Sequence, residues 1–210
     1  FEGFRRIGSR QKYLLAHGQK KWAHYYVPEN MRRLRDFFDH ALKGADNAVK
    51  HWPKVQVEVR ERNGVGALRA ENEWPLARTQ YEKFYLDAAH ARMQRMPATQ
   101  AVAVSYESVV GNMAEAEAAT FAITFDRDTE LTGYMKLRVF MSCANGDDMD
   151  VFVGLHKLDA TGAVVPFAYY AQFDDGPVAL GWLRASHREL DADNSTEWQP
   201  VHPHTREQKI

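Results

Sequence analysis

Cysteine is almost absent: Cys143 is the only one in 210 residues. That excludes an internal disulfide and any metal site built from cysteine pairs. Excess charge of one sign is also lacking. Lysine and arginine total 27 against 28 aspartates and glutamates, a formal net charge of −1. Neither nucleic acid nor an anionic membrane is expected as the main partner of such a chain. No apolar run reaches the roughly 18 residues that a membrane span needs. The first residue is Phe1, with no initiator methionine and no signal-peptide pattern. Phe1-Glu2-Gly3-Phe4-Arg5-Arg6 reads as the middle of a longer polypeptide. The absence of cysteine pairs fits a reducing, cytoplasmic compartment.

What is present is alternation. In Thr129–Leu158, Met135, Leu137, Val139 and Met141 share one face, opposite Lys136, Arg138, Phe140 and Ser142. Val151, Val153 and Leu155 then alternate with Phe152, Gly154 and His156. Period two with one apolar face predicts two half-buried strands. Asn145-Gly146 between them predicts a tight turn, because that dipeptide tolerates positive φ. The expectation is an antiparallel hairpin, and a hairpin needs a second layer over its apolar face. Val55, Val57 and Val59 predict a further strand with one wet face, closed by Asn63-Gly64. Other predicted strands are Gly66–Ala70, Gln80–Ala88, Ala101–Glu107, Ala118–Phe125, Val165–Phe173 and Val178–His187. Short strands at this spacing, punctuated by Gly, Asn, Asp and Pro, suggest a β-sandwich or jelly roll.

The first 50 residues differ in texture. Tyr13-Leu14-Leu15-Ala16 suits a short buried strand, ending at His17-Gly18. Residues 28–43, PENMRRLRDFFDHALK, predict a helix. Pro28 suits its first turn, Glu29 complements the dipole, and Gly44 stands where a C-terminal cap belongs. Met31, Leu34, Phe37, Phe38, Ala41 and Leu42 form one apolar face. No second helix is predicted beyond residue 44. The expected division is residues 1–50, a strand and helix without a closed core, and residues 51–210, the β domain. Residues 191–210 read as a polar tail lying over the surface.

Several stretches occur together in order: RRIGSRQKYLLAHGQKKWAHYY, FFDHALKG, WPKVQVEVRE, EWPLARTQYEKFYLDA, ELTGYMKLRVFMS, DMDVFVGLHKL and GWLRASHREL. The set resembles the C-terminal part of the CocE/NonD hydrolases, the X-Pro dipeptidyl-peptidase-like group of peptidase family S15. The resemblance implies a galactose-binding-like jelly roll over 51–210, preceded by the trailing strand and helix of an α/β-hydrolase catalytic domain. It implies a serine hydrolase acting on an ester or amide by Ser-His-Asp acyl transfer. The implied partner is the catalytic domain of the same polypeptide, with a homo-oligomer as a further expectation and no cofactor.

In α/β-hydrolases the triad runs serine, acid, histidine along the chain, with the serine in a G-x-S-x-G-like elbow. Ser9, Ser105, Ser108, Ser142, Ser186 and Ser195 all lack that context. No aspartate precedes His17. By chain order only the histidine belongs here, so the chain alone is predicted to be inactive. His17, following the YLLA run, is the tentative triad base; Leu15-Ala16-His17 stands where the family often shows Pro-Trp-x-His. His24, in KKWAHYY, is the second candidate. Asp147, Asp148 and Asp150 could suggest calcium, but an ion needing six to eight oxygens is less expected than a solvated turn. His202-Pro203-His204 offers two ligands, too few to close a metal site. Trp52, Trp74, Trp182 and Trp198 raise a rival reading, a stand-alone jelly-roll module for carbohydrate or peptide. Core or interface positions are the plainer expectation for them. Cys143, ending an apolar strand, is expected to be a buried, inert thiol.

Overall fold

The computed structural model describes residues 1–108, 117–169 and 173–205. It is mainly β. The chain divides into two compact units, Phe1–Arg78 with Gly133–Ile210, and Thr79–Thr132.

In the first unit, short helix α1 (Glu2–Arg6) precedes strand β1 (Leu14–Ala16), helix α2 (Lys21–Tyr25) and helix α3 (Pro28–Lys43). α3 has the predicted bounds. Pro28 occupies its first turn, and Gly44 ends it with φ 67°, a left-handed value that costs glycine little. The amides of Gly44 and Ala45 both reach back to the Asp39 carbonyl, which closes the last turn. α1 and α2, five residues each, were not legible, because fewer than two turns carry no periodicity.

Strands β2 (Val55–Arg62) and β3 (Val65–Glu71) form an antiparallel hairpin around Asn63-Gly64, with Gly64 at φ 69°. β1 lies parallel to β2 on its other side, Leu14 facing Val55 and Ala16 facing Val57. The sheet order is therefore β1-β2-β3, and strands on either side of the expected division between residues 50 and 51 share one ladder. Val55 and Val57 are 0% and 4% exposed and form the core with Val49 and Phe167. Burial of such side chains contributes about 1.5–3 kcal/mol each. The opposite face of β2 is not wet as expected. Gln56, Glu58 and Arg60 are half-buried, and each is bonded to another segment.

The hairpin expected over Thr129–Leu158 does not form. β6 (Asp150–Leu155) keeps its predicted alternation, but its partner is the distant β11 (Ala179–Arg184). Residues 133–142 join no strand; Met135, Leu137, Val139 and Met141 stay exposed and Phe140 is 92% exposed. Two local reasons are visible. Gly146 does not take a left-handed φ. Asp148, just beyond it, accepts hydrogen bonds from the Ser186 amide (2.9 Å) and hydroxyl (2.6 Å). That draws the segment before β6 toward the end of β11. Cross-strand pairs Asp150–Arg184 and Phe152–Trp182 then reward the β6–β11 register. Cys143, expected to be buried, is exposed, because the strand meant to carry it inward is missing.

Between these strands lie β7 (Lys157–Leu158), β8 (Val164–Val165), β9 (Phe167–Tyr169) and β10 (Phe173–Gly176). β7 pairs with β8 and β9 with β10, both antiparallel. The strand predicted over Val165–Phe173 thus breaks at Pro166, which has no amide to donate, and includes residues outside the described ones. β11 runs into a single 3-10 turn, Ala185–His187. The tail from Asp191 folds back on itself through Asp191 and Val201. It also meets α1, where Arg5 donates to Gln199 (2.6 Å) and Gln199 donates to Glu2 (2.6 Å). Residues 206–210 of the predicted tail lie outside the described residues.

In the second unit, β4 (Tyr85–Asp87) and β5 (Arg92–Gln94) form a short antiparallel pair. Of the strand predicted over Gln80–Ala88 only β4 is realised. Ala118–Phe125 contributes one bridge, Arg92 to Ala122, and Ala101–Glu107 joins no ladder. Asp87 is buried and accepts from both His90 (2.9 Å) and Arg92 (3.0 Å).

Candidate functional site

His17 directly follows the last residue of β1. Its environment is set by the turn that follows. The Gly18 amide donates to Glu58 Oε2 on β2 at 2.8 Å. The Arg60 side chain packs so closely on Gly18 that a Cβ there would lie 2.2 Å from Arg60 Cδ. Only glycine fits this approach. Arg60 is itself held by the Val178 carbonyl (2.9 Å) and lies 4.9 Å from the Phe167 ring centroid.

α2 then brings His24 onto His17. The two imidazoles stack with centroids 3.5 Å apart and planes 13° from parallel. Asn30 at the start of α3 donates to the His24 carbonyl (2.6 Å), which fixes the end of α2. Arg33 of α3 donates to Gln56 of β2 (2.8 Å) and lies over the Trp52 ring. Burial lowers the His24 pKa, helped by repulsion from His17 and Arg33 and opposed by Glu58. Nδ1 of His17 is buried with no hydrogen-bond partner among the described residues. A buried ring nitrogen without a partner is uncommon and asks for an explanation.

The sequence singled out both histidines, but as rivals. It gave no signal of their stacking, nor of Glu58 and Arg60 as the groups that shape the turn. Those two residues read only as the polar half of an alternating strand.

The other candidate residues are placed as follows. Asp148 is occupied by Ser186 and by the Met149 amide, and Asp150 forms a two-point ion pair with Arg184 (2.8 Å for both bonds). Hydrogen bonding to Ser186 holds the Asp148 carboxyl below the usual range, and Arg184 does the same for Asp150. These carboxylates are engaged by protein donors. His202 and His204 are joined by His187, with centroids 5.5 Å and 6.0 Å from that of His204. Among the described residues, however, no three His, Cys, Asp or Glu side chains converge as metal ligands. Trp52 packs edge-on against Tyr13, and Trp74 stacks on Phe1 and donates to Tyr134. Trp182 is exposed, paired across strands with Phe152, and Trp198 is half-buried. Among the described residues no helix is long and apolar enough to cross a membrane.

The fold and this site define a mainly β domain with a stacked pair of histidines just after β1. A family model described as the X-Pro dipeptidyl-peptidase C-terminal non-catalytic domain matches residues 47–206. The chain belongs to that family, in the CocE/NonD group of hydrolases. Two crystal structures of a CocE/NonD family hydrolase from Staphylococcus aureus match all of the chain. One does so at 39% identity and TM-score 0.90, the other at 34% and 0.80. The match covers 37% and 36% of those chains. Cocaine esterase from Rhodococcus sp. (strain MB1 Bresler) is 36% identical over 69 residues, 33% of this chain and 12% of the esterase. The chain thus spans little more than a third of the solved hydrolase and a small fraction of the esterase.

Proposed function

We propose that these residues are the C-terminal part of a serine hydrolase of X-Pro dipeptidyl-peptidase or acyl-esterase type, and that His17 is its triad base. The unpartnered, buried Nδ1 of His17 carries the reading. In a Ser-His-Asp triad that atom's N–H donates a hydrogen bond to the ionised acid, while Nε2 takes the serine proton and returns it to the leaving group. Serine and aspartate both come earlier in chain order, so they belong to polypeptide before Phe1. His24 is the weaker candidate, because among the described residues neither of its ring nitrogens is a fully buried atom left without a partner.

In this reading residues 1–50 are the trailing strand and helix of the α/β-hydrolase catalytic domain. Residues 51–210 are a galactose-binding-like jelly roll that packs on it and helps wall the substrate pocket. The exposed apolar residues of the N-terminal part, Trp22, Tyr26, Phe38 and Leu42 among them, support a docking surface there. The test is kinetic. In the full polypeptide, His17→Ala is expected to lower kcat for ester hydrolysis by at least about a thousandfold. A variant within tenfold of the parent removes His17 from the triad.

A further inference from the structure

We propose that His24 is a positioning residue for His17: its stacked ring fixes the plane in which His17 turns Nδ1 toward an acid and Nε2 toward a serine. This deepens, and rests on, the reading of His17 as the triad base.

The terminal torsion of a histidine is soft, so an imidazole must be oriented from outside. A triad base is commonly oriented by its acid, through Nδ1. Among the described residues Nδ1 of His17 has no partner, yet the ring is placed, lying on His24 at 3.5 Å and 13°. The platform is itself anchored. Asn30 holds the His24 carbonyl, and Glu58 holds the Gly18 amide that turns the chain from β1 to α2. The arrangement therefore prepares the His17 ring before an acid is added.

The electrostatics suit the same role. The charged groups facing the pair are Glu58 from β2 and Arg33 from α3, with Arg60 packed on Gly18. Burial first, then His17 and Arg33, disfavour a proton on His24. His24 is thereby a weaker base than an ordinary histidine and a poorer acceptor for the serine proton. When His17 becomes an imidazolium, the neutral ring presents a π face to it, a favourable arrangement for a cation. A flat neutral ring is what the position needs; an aliphatic side chain would fill the space without orienting anything.

The test has two arms. In the full polypeptide, p-nitrophenyl acetate hydrolysis is followed for His17→Ala, His24→Leu and His24→Phe. His24→Leu is expected to lose about 10–100-fold in kcat with little change in KM, the scale of a misplaced reacting group. His24→Phe is expected to restore kcat to within about threefold of the parent. If His17→Ala is inactive but His24→Leu matches the parent, the positioning role is overturned and the base assignment stands. If His17→Ala is active, both fall. The second arm is an NMR titration of the histidine rings of the 210-residue chain. His17→Phe is expected to raise the His24 midpoint by removing a neighbouring charge. An unchanged midpoint overturns the stack, even if His24→Leu fails to fold.

Discussion

Glu71, at the end of β3, is 8% exposed and accepts hydrogen bonds from Arg78 (2.7 Å from Nη1) and Arg69 (2.7 Å). The Arg78 bonds, with help from Arg69 and against the cost of burial, hold its carboxyl at about 2. A folded pKa below the unfolded value of 4.5 stabilises the fold above that value. The contribution fades as pH falls from about 4.5 toward 2. Glu71→Gln is therefore expected to lower stability at neutral pH by about 1–3 kcal/mol. It should also flatten the loss between those two pH values, as read by urea denaturation across pH. Gly18 gives a second check at this scale. Gly18→Ala forces a Cβ into Arg60 and is expected to cost about 1–3 kcal/mol by the same measurement. Cys143 gives a third: exposed as it is, it should react with Ellman's reagent in the folded chain at nearly the rate of a free thiol. Protection until denaturant is added would restore the buried strand that the sequence suggested.

Among the elements, α3 buries no side chain fully, but its apolar residues differ in exposure. Phe37 packs edge-on against Tyr13 at 6.2 Å and is half-buried, whereas Leu42 is 77% exposed. Phe37→Ala is expected to destabilise the chain by about 2–4 kcal/mol, somewhat under the range for a fully buried ring. Leu42→Ala should stay within about 0.5 kcal/mol of the parent, as exposed substitutions do. The same Leu42→Ala should weaken packing in the full polypeptide if α3 docks on a catalytic domain; a thermal shift there but not in the 210-residue chain tests this. Strand pairing was harder to read than the helix. α3 was legible because its cap, its proline and its period are all local to residues 28–44. β6 was legible as a strand, but its partner was not. Asn145-Gly146 favoured a hairpin with the segment before it, while Ser186, 38 residues beyond Asp148, supplied the stronger bond. β-propensity describes a surface that needs a neighbour and does not name the neighbour.

At the scale of the whole molecule, family membership and partial length set the expectations. A non-catalytic domain without an elbow serine should show no p-nitrophenyl ester turnover above the imidazole background when purified as these 210 residues. Enzyme-like turnover would refute the division of labour proposed above. The exposed apolar side chains of α2 and α3 should drive self-association, visible by light scattering and by binding of a hydrophobic dye. A clean monomer that binds no dye would argue that this surface needs no cover.

The sequence alone determined the local matters: where α3 begins and ends, that β2 and β3 turn at Asn63-Gly64, that β6 alternates, and that His17 follows an apolar strand. Each depends on residues within a few positions, so composition and period suffice. Only the tertiary structure decided that β1 joins β2 in parallel, that β6 pairs with β11, and that the His24 ring stacks on His17. Such contacts join residues far apart along the chain. They are selected by hydrogen bonds and packing that exist only once the chain has closed on itself.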